Sequence, residues 1–247
     1  MTAETSVRHV AVLAPMPLEM EAIVTAFELE PDEARPGRHV GRVGNSRVTC
    51  THIGMGPPAT RAALAALLDE SSPDHEPVDH VMIAGICGGL DPDVPVGTLV
   101  NPEFVVEHAS GREWRHAPPG GEPVAGRLVT TEGVTLDPDL SRRFLAEGCI
   151  AVDMETSAVA EVCEPRQVPW SAYRCIGDRI FDGLLDERVL SLTRPDGSGD
   201  PDALSRLLAE DPGLADRLGR LARDATPAAA RAAEAAVRGC RALDGAG

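Results

Sequence analysis

Ile150-Ala151-Val152-Asp153-Met154-Glu155 and, one helix later, Trp170-Ser171-Ala172-Tyr173-Arg174-Cys175-Ile176-Gly177-Asp178 form the stretch on which the fold turns. Ile150 to Val152 and Trp170 to Ile176 are short apolar runs of the kind that form buried strands, and Thr156 to Cys163 between them reads as a helix. Strand, helix and strand in succession build a largely parallel sheet covered on both faces. An acidic turn follows the first strand and Asp178 ends the second, so the pattern brings acids to one cleft beyond the strand ends, where ligands of such sheets bind.

The same alternation extends outward. His9 to Ala14 reads as a buried strand, Pro15 and Pro17 break it, and Leu18 to Phe27 resumes at helical spacing. Val40 to Ile53 holds two strand-like runs around Gly44-Asn45-Ser46; Gly54 to Pro58 is a tight loop before an Ala- and Leu-rich helix, Ala59 to Leu68. Val78 to Ala84 is an apolar strand running into Gly85-Ile86-Cys87-Gly88-Gly89, where small residues let backbone approach a ligand. Val96 to Val106 is strand-like, Ala109 to Gly126 is a surface excursion and Leu136 to Ala146 a helix. Residues 202–243 carry leucines at helical intervals and read as helices punctuated by Pro212-Gly213 and Pro227, a cap on the sheet. The expectation is an α/β fold, one domain over residues 1–247, with a mixed, largely parallel central sheet flanked by helices.

Composition bounds the chemistry. The formal charge of −16 over 247 residues argues against binding to nucleic acid, which needs a basic surface. The sequence contains no Lys, which excludes Schiff-base lysine chemistry and a Walker-type phosphate lysine. The six cysteines are scattered without zinc or redox spacing, and the seven histidines show no paired helical arrangement, so neither metal nor organic cofactor is expected. No run approaches a membrane span, and Met1 to Thr5 lacks the basic flank and apolar run of a signal peptide, which gives a cytoplasmic expectation.

Each acid has a structural reading beside the chemical one. Glu19 near a helix start complements the helix dipole. Asp153 is placed to cap the helix from Thr156. Glu155 offers two acceptor oxygens suited to neighbouring sugar hydroxyls. Asp178 is a turn former or, partly buried, a general acid. Arg174 orders that loop by charged hydrogen bonds or faces solvent.

Val10 to Glu19, Gly54-Met55-Gly56, Gly85 to Val100, Ala151 to Glu155 and Arg174 to Asp178 occur in the order found in the nucleoside phosphorylase and nucleosidase superfamily. Across residues 9–183 the chain looks most like methylthioadenosine/S-adenosylhomocysteine nucleosidases, and its C-terminal part is similar to the hopanoid-associated branch. The resemblance implies that Glu19 orients or deprotonates water, Met154 packs on ribose and Glu155 holds its 2′ and 3′ hydroxyls. Asp178 would serve purine N7 as the base leaves, with Arg174 as organiser. Gly85, Ile86, Val134 and Thr135 would line the substrate. The implied partner is a small nucleoside, and the implied assembly a homo-oligomer, a dimer.

Departures sharpen the reading. Ile86 and Gly177 stand where relatives commonly carry serine, and serine or alanine, respectively. Met16-Pro17 and Ile83-Ala84 lack the phosphate-binding arginines of phosphorylases, which favours hydrolysis over phosphorolysis. The base-stacking aromatic is replaced by Val134, with Phe181 or Trp114 as stand-ins. A non-catalytic nucleoside-binding protein is the rival of another class.

Overall fold

The computed structural model describes residues 8–73, 75–120 and 123–244; the start scanned for a leader, Met1 to Thr5, lies outside them. Strand β1 (His9–Ala14) is buried along its length because it has parallel neighbours on both sides and helices on both faces. Pro17 opens α1 (Pro17–Phe27), where the missing proline N–H has no intrahelical partner to lose. β2 (Glu30–Pro31), β3 (Arg38–Val43) and β4 (Ser46–His52) form an antiparallel edge, with Gly44 at φ +58° in the β3–β4 turn. Helix α2 (Pro57–Leu67) then leads to β5 (His80–Gly89). Next come β6 (Leu99–Val100), β7 (Phe104–Glu107), β8 (Glu113–Arg115), β9 (Arg127–Thr130) and α3 (Pro138–Ala146). The chain continues through β10 (Cys149–Asp153), α4 (Thr156–Cys163), β11 (Trp170–Arg179), α5 (Glu187–Leu190), α6 (Pro201–Glu210) and α7 (Leu214–Asp244).

Among the described residues the strands form one 11-stranded mixed sheet, ordered β2-β3-β4-β1-β5-β10-β9-β7-β8, with β11 on β5 and β6 on β11. Two apolar layers cover its centre. Val81, Ile83, Cys87, Trp170, Ala172 and Ile176 meet α2 and α4 on one face, while Val10, Val12, Met82, Ala84 and Tyr173 meet α1 and α7 on the other. The strands therefore read as continuous apolar runs rather than as alternating ones.

Three segments differ from their sequence reading. Gly85 to Gly89 is no loop: β5 stays paired with β11 through Gly89, and Gly88 and Gly89 also pair antiparallel with β10. A Cβ on Gly88 would lie 3.3 Å from Val152 Cγ1, and one on Gly89 3.0 Å from Ile176 Cγ2, so these glycines let two strands close in. Val96 to Val106 splits into β6 and β7, which choose different partners, β11 and β9. Pro227 lies inside α7 rather than ending it. A helix-interior proline forfeits one backbone hydrogen bond, but Ala228, Ala229, Ala232, Ala233, Ala236 and Cys240 beyond it are all buried, and that packing carries the helix through.

Candidate active site

The site forms where the segments after β1 and β10 meet the middle of β5 and β11. Glu19 is the third residue of α1, and its Oε2 accepts from the Met16 N–H (2.9 Å), the acidic half of a capping box. The other oxygen leaves the helix and accepts from the Ile86 N–H (2.7 Å). Gly85 makes this reach possible: a Cβ there would sit 1.9 Å from Glu19 Oε1.

Arg174 holds the acids together. It is fully buried; Nη2 lies 2.9 Å from Asp153 Oδ2 and 3.0 Å from Glu155 Oε2, and Nη1 3.7 Å from Glu19 Oε1. Its Nε donates to Thr156 Oγ1 (3.2 Å) and Nη1 to the Ile86 carbonyl (3.4 Å). The solvent-facing alternative for Arg174 is thereby excluded. Asp153 also accepts from Thr130 Oγ1 (2.7 Å) and from the backbone N–H and hydroxyl of Thr156; the N-cap position of α4 is Glu155, and Asp153 satisfies the first helical N–H from two residues before it. Glu155 Oε1 accepts from the Gly56 N–H (2.8 Å), at the N-terminus of α2, with Gly56 at φ +87°. That explains the Gly54-Met55-Gly56 loop: a positive φ aims one N–H at a carboxylate from a distant part of the chain.

Electrostatics follow from this closure. Burial pushes Glu19 up to about 8 despite Arg174 and the two N–H donors, and burial likewise raises Glu155. Burial opposes the Arg174 charge, but Asp153, Glu155 and Glu19 outweigh it and hold the guanidinium above its ordinary value. Among the described residues no group of three His, Cys, Asp or Glu side chains is arranged to hold a metal; these carboxylates face a guanidinium instead.

Asp178 lies on β11 four residues beyond Arg174. Pairing shifts between Ile176 and Asp178, so that Gly177 is an extra residue and Asp178 stands opposite Gly88. An unbroken register would set it opposite Gly89, on the pleat face that Arg174 and Ile176 share; the bulge re-aims it. Its carboxyl is partly buried and accepts no hydrogen bond from a described residue, and burial followed by Asp182 raises it to about 6.

Gly177 and Ile86 meet each other. A Cβ on Gly177 would lie 3.1 Å from Ile86 Cβ, and the Ile86 side chain packs with Cys175, Ala228 and Ala232. Ile86 therefore offers the site its backbone N–H and carbonyl rather than its side chain. Met154 follows Asp153 and lies beside Gly56, its methyl 3.7 Å from where a Cβ on Gly56 would stand. The Thr131–Thr135 loop abuts the same glycine through the Glu132 carbonyl; Thr135 is buried and Val134 exposed. Trp114 is excluded as a base-stacking group, being buried in the α2–α4 core layer, whereas Phe181 stays 40 % exposed three residues past Asp178. Sequence reading marks the Gly54-Met55-Gly56 loop without its partner Glu155, and it leaves out the Thr130 hydroxyl and the Met16 N–H as donors. The Asp153–Thr156 contact and the charged hydrogen bonds of Arg174 are the parts of this network that carry a signal in the sequence. A cavity of about 690 Å³ between α1 and α7 lies elsewhere, lined by Leu18, Thr25, Ala230 and Val237, on another face of α1 from Glu19.

Comparison with known proteins agrees with this architecture. The phosphorylase superfamily model matches residues 9–147 and 119–194. The chain belongs to that superfamily, and it is an enzyme. It is 28% identical over 199 residues to the futalosine hydrolase of Streptomyces coelicolor, covering 70% of this chain and 84% of that protein. To the 5′-methylthioadenosine/S-adenosylhomocysteine nucleosidase of Tolumonas auensis it is 27% identical over 168 residues, 56% of this chain and 71% of the relative. The apo structure of Arabidopsis thaliana 5′-methylthioadenosine nucleosidase superposes with a TM-score of 0.69 at 15% identity, covering 98% of both chains. The Helicobacter pylori 5′-methylthioadenosine/S-adenosylhomocysteine nucleosidase, solved in complex with a substituted pyrrolidin-3-ol, gives 0.67 at 16%, covering 97% of this chain and 99% of the other. At such identities these structures speak to the fold.

Proposed function

We propose that this enzyme hydrolyses the N-glycosidic bond of a purine nucleoside substituted at its 5′ carbon, with Glu19, Glu155 and Asp178 as its working acids and no metal or organic cofactor. The observation that carries this reading is the convergence of Glu19 and Glu155 on one buried Arg174, with Asp178 further along the same strand, its carboxyl accepting no hydrogen bond from a described residue. Both named relatives are hydrolytic enzymes, one a futalosine hydrolase and one a nucleosidase, which supports the reaction class.

The chemistry separates by position. Asp178, with a carboxyl that keeps its proton to about pH 6, gives a hydrogen bond or proton to purine N7, so the base departs neutral as positive charge grows on the sugar. Glu155 is oriented by the Gly56 N–H and Arg174, and its remaining lone pairs accept from the ribose 2′ and 3′ hydroxyls. Met154 packs on the sugar, and Gly85, Ile86, Val134 and Thr135 border the ligand. Ionised Glu19 takes a proton from the attacking water.

Hydrolysis is favoured over phosphorolysis by charge. Among the described residues Arg174 is the one arginine ion-paired to this cluster, and three carboxylates share it, so a phosphate dianion meets net negative charge. The Ile86 side chain, packed on α7, adds no donor at that corner. The test is incubation with methylthioadenosine, S-adenosylhomocysteine, futalosine, adenosine and an adenosyl lipid such as adenosylhopane, with and without phosphate. Release of free base without phosphate from at least one is expected; ribose 1-phosphate as product would establish phosphorolysis, and no base release from any of them would overturn the hydrolase reading. A cytoplasmic homodimer belongs to the same reading, its assembly being testable by light scattering.

A further inference from the structure

Between α5 and α6 the chain makes a turn, Arg194 to Gly199, closed by a bridge between Thr193 and Gly199. This turn docks on both loops that serve the carboxylates. The Pro195 carbonyl accepts from the Met55 N–H (3.1 Å), beside Gly56. Gly197, at φ +78°, lies so near Met16 that a Cβ would be 2.8 Å from its Cγ and 3.1 Å from its Cα. Met16 and Gly56 supply the N–H groups that bind Glu19 and Glu155, from loops about 40 residues apart in sequence that a single later turn contacts together. The turn is itself anchored, because α5, α6 and the start of α7 share an apolar cluster of Val189, Leu192, Ala203 and Leu214.

We propose that the Arg194–Gly199 turn is a positioning device: by pinning Met16 and Met55 it fixes the two backbone N–H groups that orient Glu19 and Glu155. Gly197 is the residue on which it depends, since a side chain there pushes Met16, and with it the N–H that binds Glu19. The catalytic roles of the two carboxylates rest on the nucleosidase reading; the placement of their donors does not.

The experiment reads Glu19 directly. In protein labelled with ¹³C at glutamate carboxyls, the Glu19 signal is assigned by its loss in Glu19→Gln and titrated in wild type, Gly197→Ala and Gly199→Ala, with each fold checked by thermal melting. Gly197→Ala should raise the Glu19 midpoint by about one unit, the effect of losing a hydrogen bond to the charged form. Gly199→Ala should leave it unmoved, because nothing lies within 4 Å of the added Cβ. Adding Met16→Ala to Gly197→Ala should return the midpoint toward the wild-type value. An unmoved midpoint in folded Gly197→Ala, or an equal shift in Gly199→Ala, overturns the proposal.

Amide exchange in the wild-type protein gives a second test that needs no variant. The Met16, Met55 and Gly56 amides should share one opening rate; a Met55 amide that opens while the other two stay protected also overturns the proposal. A shifted midpoint in a protein that cleaves no nucleoside would leave this inference standing and remove the nucleosidase reading. Cleavage with an unmoved midpoint would do the reverse.

Discussion

A carboxyl enclosed by α1, Gly85 and Arg174 holds its proton to higher pH than one in water, and this has a definite sign for stability. Glu19 is raised from 4.5 to about 8, so between those values the folded protein binds a proton that the unfolded chain has released. Stability is therefore lost as pH rises through that window. Glu19→Gln, which cannot ionise, should lose less stability than wild type between pH 5 and pH 9, whatever constant offset the amide introduces; urea midpoints at several pH values measure it. Asp178 and Glu19 also set the rate profile. With Asp178 titrating near 6 and Glu19 near 8, the form with Asp178 protonated and Glu19 ionised is about one molecule in a hundred between those values. Wild-type kcat/KM should be flat between about pH 6 and 8 and fall on both sides. Asp178→Asn should lower it by roughly 10²- to 10⁴-fold, and its residual rate should rise with a midpoint near pH 8 to a plateau above it, without the alkaline fall. The acids themselves were legible in the sequence, because carboxylates after apolar strands stand out. Their shared counter-ion was not, since Arg174 meets Asp153, Glu155 and Glu19 from three separate elements.

At the scale of elements, the bulge in β11 and the facing part of β5 act as one unit. Gly177 has no room for a Cβ unless Ile86 yields, so the two residues form one packing solution. Gly177→Ser should destabilise by about 1–3 kcal/mol, as overpacking does, and the penalty should shrink in the Ile86→Ser background. A double-mutant cycle in urea measures that coupling, and strict additivity would contradict it. Helix α7 makes a similar close approach: a Cβ on Gly239 would fall 1.7 Å from Tyr173 Oη, so Gly239→Ala should lower the melting temperature. Strands and helices with a clear period were readable from sequence, as β1, α1, α3 and α4 demonstrate. Gly85 to Gly89 and Pro227 were misread, because both carry local turn signals that burial overrides: strand closure in one case and an alanine face in the other.

For the whole molecule, α7 covers one face of the sheet, as a cap would, and its alanine face is part of the core. Ending the chain at Leu184 would uncover Met82, Ala84 and Tyr173, on the strands that α7 packs against. Such a protein is expected to bind a hydrophobic dye and lose cooperative melting, rather than remain folded and active without its tail. Among the described residues no helix is long and apolar enough to cross a membrane. The sequence by itself determined the alternation of buried strands and helices, hence the α/β class, and the residue types able to do acid–base chemistry, because periodicity and side-chain type are local properties. Only the tertiary structure decided which acids share Arg174, which backbone N–H groups hold them, where the bulge aims Asp178, and how the late turn at Gly197 reaches Met16 and Met55. Those are distances between segments far apart in sequence, set by how the layers pack.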